Sequence, residues 1–326
     1  MRIKNGILAL FFCISLGSGQ VWATSFSSLY VFGDSLSDIG SSPSAVLSVY
    51  TLLLGNCDPN YPCPPYYNGR FSNGPVTAEY VANDLLPGGG NSSNFHDYAV
   101  GGSTTGIGNV GDGGSATSLG TLGLPGMAEQ VQLYLSGVTG SGDSNSLYMV
   151  WGGGNDIDNG GSPTTAAKNI ATYVDELALD GAKYIVVPNL PNLGLTPEAQ
   201  ALGSTAAAAL TQATLTFNQS LASQLSVLSS EFPKTDIVDF NTYSWFSNLI
   251  QNAAAYGFTN TTDACVSASF QVCNNPNGYI FWDGVHPTTQ ADALLGAAIA
   301  NAMVPIPTSV LLFATGLCGL FFTRKR

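Results

Sequence analysis

The chain has 326 residues, 45% of them hydrophobic and only 9% charged, with 38 glycines and a formal net charge of −12. Five of the nine basic residues, Arg2, Lys4, Arg324, Lys325 and Arg326, sit at the ends, so the body sets four basic residues against 21 acidic ones, a net charge of about −17. With no basic surface to neutralise phosphates, nucleic-acid binding is excluded and polyanionic substrates are disfavoured; neutral esters or neutral glycans fit better.

From the N-terminus, Arg2 and Lys4 precede an apolar stretch over 7–16, and Val21-Trp22-Ala23 is a small-x-small site. That is the pattern of a secretory signal over 1–23, with a mature chain from Thr24. The body, 24–303, suits one large domain. Its pattern predicts a strand over 29–32 that ends at Gly33, then a helix over 75–85 with Pro75 near its start. A strand over 98–100 follows, and then a helix over 127–135 burying Met127, Val131 and Leu135. Next come a strand over 147–151, a helix over 164–179, a strand over 184–187, a long Ala- and Leu-rich helix over 201–228 and a strand over 237–240. A helix over 289–302, capped by Thr288 or Thr289, closes the domain. Segments 104–121, 136–145 and 254–278 read as loops. Alternating strands and helices imply a parallel sheet covered on both faces, with its ligand site at the carboxyl ends of the strands.

Beyond the body, Val304-Pro305-Ile306-Pro307 precedes an apolar run over 310–322 and the basic end Arg324-Lys325-Arg326. The run is short for a bilayer span of about 20 residues. This tripartite tail resembles the PEP-CTERM class of bacterial sorting signals, with Ile306 where that class usually has Glu. The resemblance implies a membrane sorting protease that recognises 304–326, in a Gram-negative bacterium; a short retained anchor is the alternative. Of six cysteines, Cys13 lies in the signal and Cys318 in the tail. Cys57 and Cys63, and Cys265 and Cys273, form two local pairs six and eight residues apart. In the oxidising compartment that export implies, two small-loop disulfides are expected. The rival is a zinc site, but no His lies nearby and the Pro-rich 60–65 is not a zinc knuckle, so no metal is expected.

Three features carry chemistry. Phe32-Gly33-Asp34-Ser35-Leu36-Ser37-Asp38 puts a serine just past a strand, at the expected start of a helix, where free N–H groups favour developing negative charge. A serine hydroxyl needs a base to take its proton. The sequence has two histidines; His96 precedes a strand, whereas His286 follows Asp283 by three residues in Trp282-Asp283-Gly284-Val285-His286-Pro287, so the carboxylate can reach the same ring. An oxyanion needs donors already facing it. Candidates are the N–H groups of Ser35 and Gly102 and the side-chain amide of Asn155.

Taken together, these blocks resemble the SGNH hydrolases, also called GDSL lipases. Phe32–Asp38 is similar to that family's nucleophile block, Tyr98-Ala99-Val100-Gly101-Gly102-Ser103-Thr104-Thr105 to its glycine block, Gly153-Gly154-Asn155-Asp156 to its asparagine block, and Asp283-Gly284-Val285-His286-Pro287 to its last block. The stretches over 69–75 and 188–194 resemble its phospholipase/lecithinase/hemolysin branch. Asp97 stands where the family often has Asn. The resemblance implies a three-layer α/β/α, flavodoxin-like fold with about five parallel strands. It also implies an acyl-enzyme mechanism without metal or cofactor, with Ser35 as nucleophile, His286 as base, Asp283 orienting it, and Ser35, Gly102 and Asn155 as the oxyanion hole. The expected activity is that of an exported esterase or lipase on neutral acyl esters, in the periplasm, at the cell surface or outside the cell. The alternatives are an O-acetyl esterase acting on exported polysaccharide and a non-catalytic surface binding module.

Overall fold

The computed structural model describes residues 26–40, 57, 60–138 and 141–304. The expected signal over 1–23 and the tail from 305 onward lie outside the described residues. Five strands, β1 (Leu29–Gly33), β2 (Phe95–Asp97), β3 (Leu147–Trp151), β4 (Tyr184–Pro188) and β5 (Asp236–Phe240), pair in parallel in the order β2-β1-β3-β4-β5. The central strand β3, Leu-Tyr-Met-Val-Trp, is buried throughout. A strand covered on both faces has no polar side to show, which is why it reads as a continuous apolar run.

Alternate side chains feed two cores. Phe32, Tyr148, Val150, Ile185 and Val187 face helices α2 (Met127–Gly137), α4 (Pro163–Asp180) and α6 (Ser204–Glu231), which cover one side. Leu29, Val31, Leu147, Met149 and Val186 face α1 (Thr77–Leu85) and α8 (Thr289–Met303) on the other. The period of two along a strand thus produces the three layers. Helix α4 is delimited as its sequence dictates. Ser162 Oγ accepts the Thr165 N–H, Pro163 occupies the first turn, and Gly181 ends the helix in the left-handed conformation. Its inward face carries Ala167, Ile170, Val174 and Leu177, each worth about 1.5–3 kcal/mol of burial where the side chain is large.

Several elements depart from the sequence reading. The strand expected over 98–100 is instead β2, three residues earlier. Past Asp97, whose Oδ1 accepts the Ala99 N–H and Oδ2 the Ile39 N–H, the chain still follows β1, the Tyr98 and Val100 N–H groups donating to the Val31 and Gly33 carbonyls at 2.8 and 3.2 Å. Residues 98–100 are apolar because Ala99 and Val100 are buried past the strand end. Pro75 precedes α1, whose N-cap is Val76; Glu79 closes that end by accepting the Val76 N–H. Helix α2 buries Gln130 and Tyr134 beside Met127 and Val131, with Leu135 only half-buried. The long helix expected over 201–228 is α6, which starts three residues later, after Gly203 at φ +95°; a separate short helix, α5 (Pro197–Ala201), precedes it. The expected loops over 104–121 and 136–145 lack long elements, but 254–278 contains β6 (Asn260–Ala264), which pairs in parallel with β7 (Tyr279–Phe281). The short α3 (Gly154–Asp158) and α7 (Thr242–Gln251) were not anticipated. Both expected disulfides are present, Cys57–Cys63 and Cys265–Cys273, with Cα separations of 5.8 and 4.9 Å. No helix among the described residues is long and apolar enough to cross a membrane.

Gly33 is required for proximity rather than for a turn. It pairs with Trp151 across β1 and β3, and a Cβ there would lie 2.4 Å from the Trp151 carbonyl oxygen. Gly33→Ala is therefore expected to destabilise the fold by about 1–3 kcal/mol through overpacking, read as a lower urea midpoint with an unchanged slope.

Candidate active site

The candidate residues come from the carboxyl ends of β1, β2 and β3 and from the turn after β7. In the order 2-1-3-4-5 the chain changes direction between β1 and β3, which opens a crevice at those ends. Ser35 lies there on a single turn, closed by the N–H groups of Ser37 and Asp38 on the Asp34 carbonyl at 3.0 Å each. The described chain continues without regular secondary structure to residue 40, so the helix start expected at Ser35 is limited to this one turn among the described residues. The turn is anchored from below by Gln130 of α2. Its amide accepts the Gly33 N–H and donates to the Gly33 carbonyl, both at 2.8 Å, and also reaches Ser103 Oγ at 3.0 Å.

After β7, the chain folds back through Asp283–His286, and the Trp282 N–H donates to the His286 carbonyl at 2.7 Å. Asp283 Oδ1 accepts the backbone N–H groups of Val285 and His286 at 3.0 and 2.8 Å. The His286 Nδ1 lies 2.9 and 2.8 Å from the two carboxylate oxygens. A ring nitrogen against a carboxylate carries the proton, so Nε2 presents its lone pair. That Nε2 is 2.8 Å from Ser35 Oγ, across 251 residues of sequence. The rings of Phe71 and Tyr61 pack on the imidazole, with centroids at 5.2 and 5.9 Å. His96, the other histidine, stands in β2 stacked on Tyr30 and lines a different groove.

Electrostatics follow from burial and pairing. Burial pushes the Asp283 carboxyl up, but the His286 ring and the hydrogen bonds it accepts outweigh this and hold it below the ordinary carboxylate value. Burial likewise pulls His286 down, but the Asp283 carboxylate and its hydrogen bond outweigh it, leaving His286 above the usual histidine value. Asp34, adjacent to Ser35, is pushed up to about 7 by burial. Asp97 is held well above its ordinary value by burial and by nearby Asp38.

The three oxyanion candidates are tied together. Asn155, in α3, donates one amide N–H to the Ser103 carbonyl at 2.9 Å, which fixes the amide and leaves its second N–H for a ligand. Next to it, Asp156 accepts the Thr105 N–H and hydroxyl, both at 2.8 Å, so the asparagine and glycine segments are clamped together. Gly102 sits at φ +79°, a conformation glycine adopts without strain. Among the described residues, the N–H groups of Ser35 and Gly102 donate to no protein acceptor. Ser35, Asn155 and His286 line one cavity; Gly102 is not among its lining residues.

Sequence reasoning assigned no supporting role to Tyr66, Gln130 or Asp156. Tyr66 Oη donates to Asp283 Oδ2 at 2.8 Å, and burial raises its pKa so that it stays a neutral donor. A buried Gln between Met127 and Val131 was the one available signal for Gln130.

Comparison with known proteins adds the following. The family described as GDSL-like Lipase/Acylhydrolase matches residues 29–299. Similar relatives include acetylajmalan esterase 2 of Rauvolfia serpentina, 27% identical over 316 residues covering 82% of this chain and 87% of that protein. Another is the phosphatidylcholine-sterol acyltransferase of Aeromonas hydrophila, 27% identical over 327 residues, 85% of this chain and 90% of that protein. Among solved structures, the M. smegmatis aryl esterase is 16% identical, with 85% of this chain and 97% of that chain covered at a TM-score of 0.45.

Proposed function

The chain belongs to the GDSL-like lipase/acylhydrolase family and is a carboxylic ester hydrolase, and on that premise we propose that it is an exported serine esterase working through Ser35, His286 and Asp283. The observation that carries this reading is the 2.8 Å contact between Ser35 Oγ and His286 Nε2, with Nδ1 of the same ring on Asp283. His286 takes the Ser35 proton as Oγ attacks the ester carbonyl. The N–H groups of Ser35 and Gly102 and the Asn155 amide receive the oxyanion. The ionised Asp283 stabilises the imidazolium, which then protonates the leaving alcohol. Water, activated by the same ring, releases the acyl group. Export is supported by the signal pattern over 1–23 and by the two local disulfides, which persist in oxidising compartments. A sorting protease acting at 304–326 and brief membrane association through 310–322 complete the proposal.

The test is the pH dependence of kcat/KM on p-nitrophenyl butyrate. A base must be neutral, so activity rises as pH climbs through the His286 pKa, which lies above the usual 6.5. Asp34 titrates at about 7, in the same window. Its charge raises His286, so in Asp34→Asn the ascending limb should persist and move to lower pH. A flat or falling profile between pH 6 and 8 contradicts His286 as base. The ion pair has the opposite sign for stability. With His286 raised, its stabilisation is complete below the unfolded value near 6.5 and is lost as pH rises through the folded value.

Tyr66→Phe removes one donor from the Asp283 carboxylate and keeps the ring. A hydrogen bond to a charged group contributes about 1.5 kcal/mol, so kcat is expected to fall about tenfold. KM should not change, because Tyr66 acts through Asp283 and not on substrate. An unchanged kcat would remove Tyr66 from the catalytic relay.

A further inference from the structure

The cavity beside Ser35 has a definite chemistry and size. Its inner wall is made by Trp151, Phe246, Phe281 and Leu295, each no more than 7% exposed, with Leu193 and Thr242 beside them. Asp34 and Asp158 also line it, which disfavours an anionic group there. Its volume is about 70 Å³. An apolar cavity of about 150 Å³ holds a benzene ring of six heavy atoms, so this space holds about three.

The order of bond changes decides which half of an ester belongs in it. Ser35 Oγ forms a bond to the carbonyl carbon as the bond to the alcohol oxygen breaks, and the Ser35 proton passes through His286 Nε2 to that alcohol. The alcohol then leaves, while the acyl group stays attached until water replaces Oγ. The recess walled by apolar side chains suits the part that stays, and the open side suits the part that departs. Resting on Ser35 as the nucleophile, we propose that this cavity is the acyl pocket and that it selects short acyl groups of about two to four carbons. Longer chains meet the Phe246–Phe281 wall.

The experiment is kcat/KM across p-nitrophenyl acetate, butyrate, hexanoate, octanoate and decanoate, each below its micelle concentration. The values should rise a few-fold per added methylene to butyrate, and decanoate should be at least tenfold slower than the optimum. Phe246→Ala opens the wall and should raise octanoate relative to butyrate about tenfold. Should that variant lose its cooperative melt, Leu193→Ala, at a half-buried position on the same wall, reads the same shift. Octanoate or decanoate equal to or faster than butyrate in the wild type overturns the pocket assignment and leaves the nucleophile standing. So does a profile that no folded wall variant moves. Failure to hydrolyse any ester of the series overturns both.

Discussion

Ser35→Ala is expected to lower kcat for p-nitrophenyl butyrate by a factor of about 10⁴–10⁶, with an unchanged melting curve. The magnitude follows from the role. Without Oγ there is no acyl-enzyme, and the oxyanion donors and bound substrate alone leave only a residue of catalysis. The fold should not suffer. Ser35 is half-buried on a single turn held by backbone bonds to the Asp34 carbonyl, and its hydroxyl's partner is His286. Removing a polar group poised for chemistry often leaves stability unchanged or slightly raised. Substantial turnover in this variant would require another nucleophile.

Asp283→Asn should lower kcat by about 10⁴ through a different route. The amide oxygen of the new side chain would keep the Val285 and His286 backbone N–H groups that Oδ1 now accepts. Its NH₂ would then occupy the Oδ2 position and face Nδ1. Two donors cannot share that contact, so the ring adopts the other tautomer and turns an N–H toward Ser35 instead of a lone pair. The His286 pKa also loses the carboxylate that raises it, and burial then pulls it down. The residual activity should thus show its ascending limb at lower pH than the wild type. A residual limb at unchanged pH would contradict the pairing.

The sequence exposed the sheet and its two helical layers because buried parallel strands leave long apolar runs, as β3 does. It concealed β6, Asn-Thr-Thr-Asp-Ala, whose polar, half-exposed residues resemble a loop. It concealed α3 too, since Gly-Asn-Asp-Ile-Asp has the composition of a turn. The boundary of β2 was misread because the apolar residues over 98–100 mark burial past the strand end, where Tyr98 and Val100 still donate to β1 carbonyls. For the candidate site, Ser35, Asn155, Asp283 and His286 were legible through four blocks that together resemble the SGNH hydrolases; only Asp283 and His286 are linked by local spacing. Tyr66 was not, because its partner Asp283 is 217 residues away and nothing near Tyr66 in sequence marks it. Gln130 and Asp156 are of the same kind: each acts by holding a distant backbone segment, a relation that only the folded chain contains.

The central claim is that Ser35 is an activated nucleophile, and covalent labelling tests it most directly. The protein is treated with a fluorophosphonate, and the modified peptide is identified by mass spectrometry in the wild type and in His286→Ala. The account predicts one adduct, on Ser35, forming rapidly in the wild type and at least a thousandfold more slowly without the His286 ring. An adduct on another residue, or equal labelling rates in the two proteins, would contradict it.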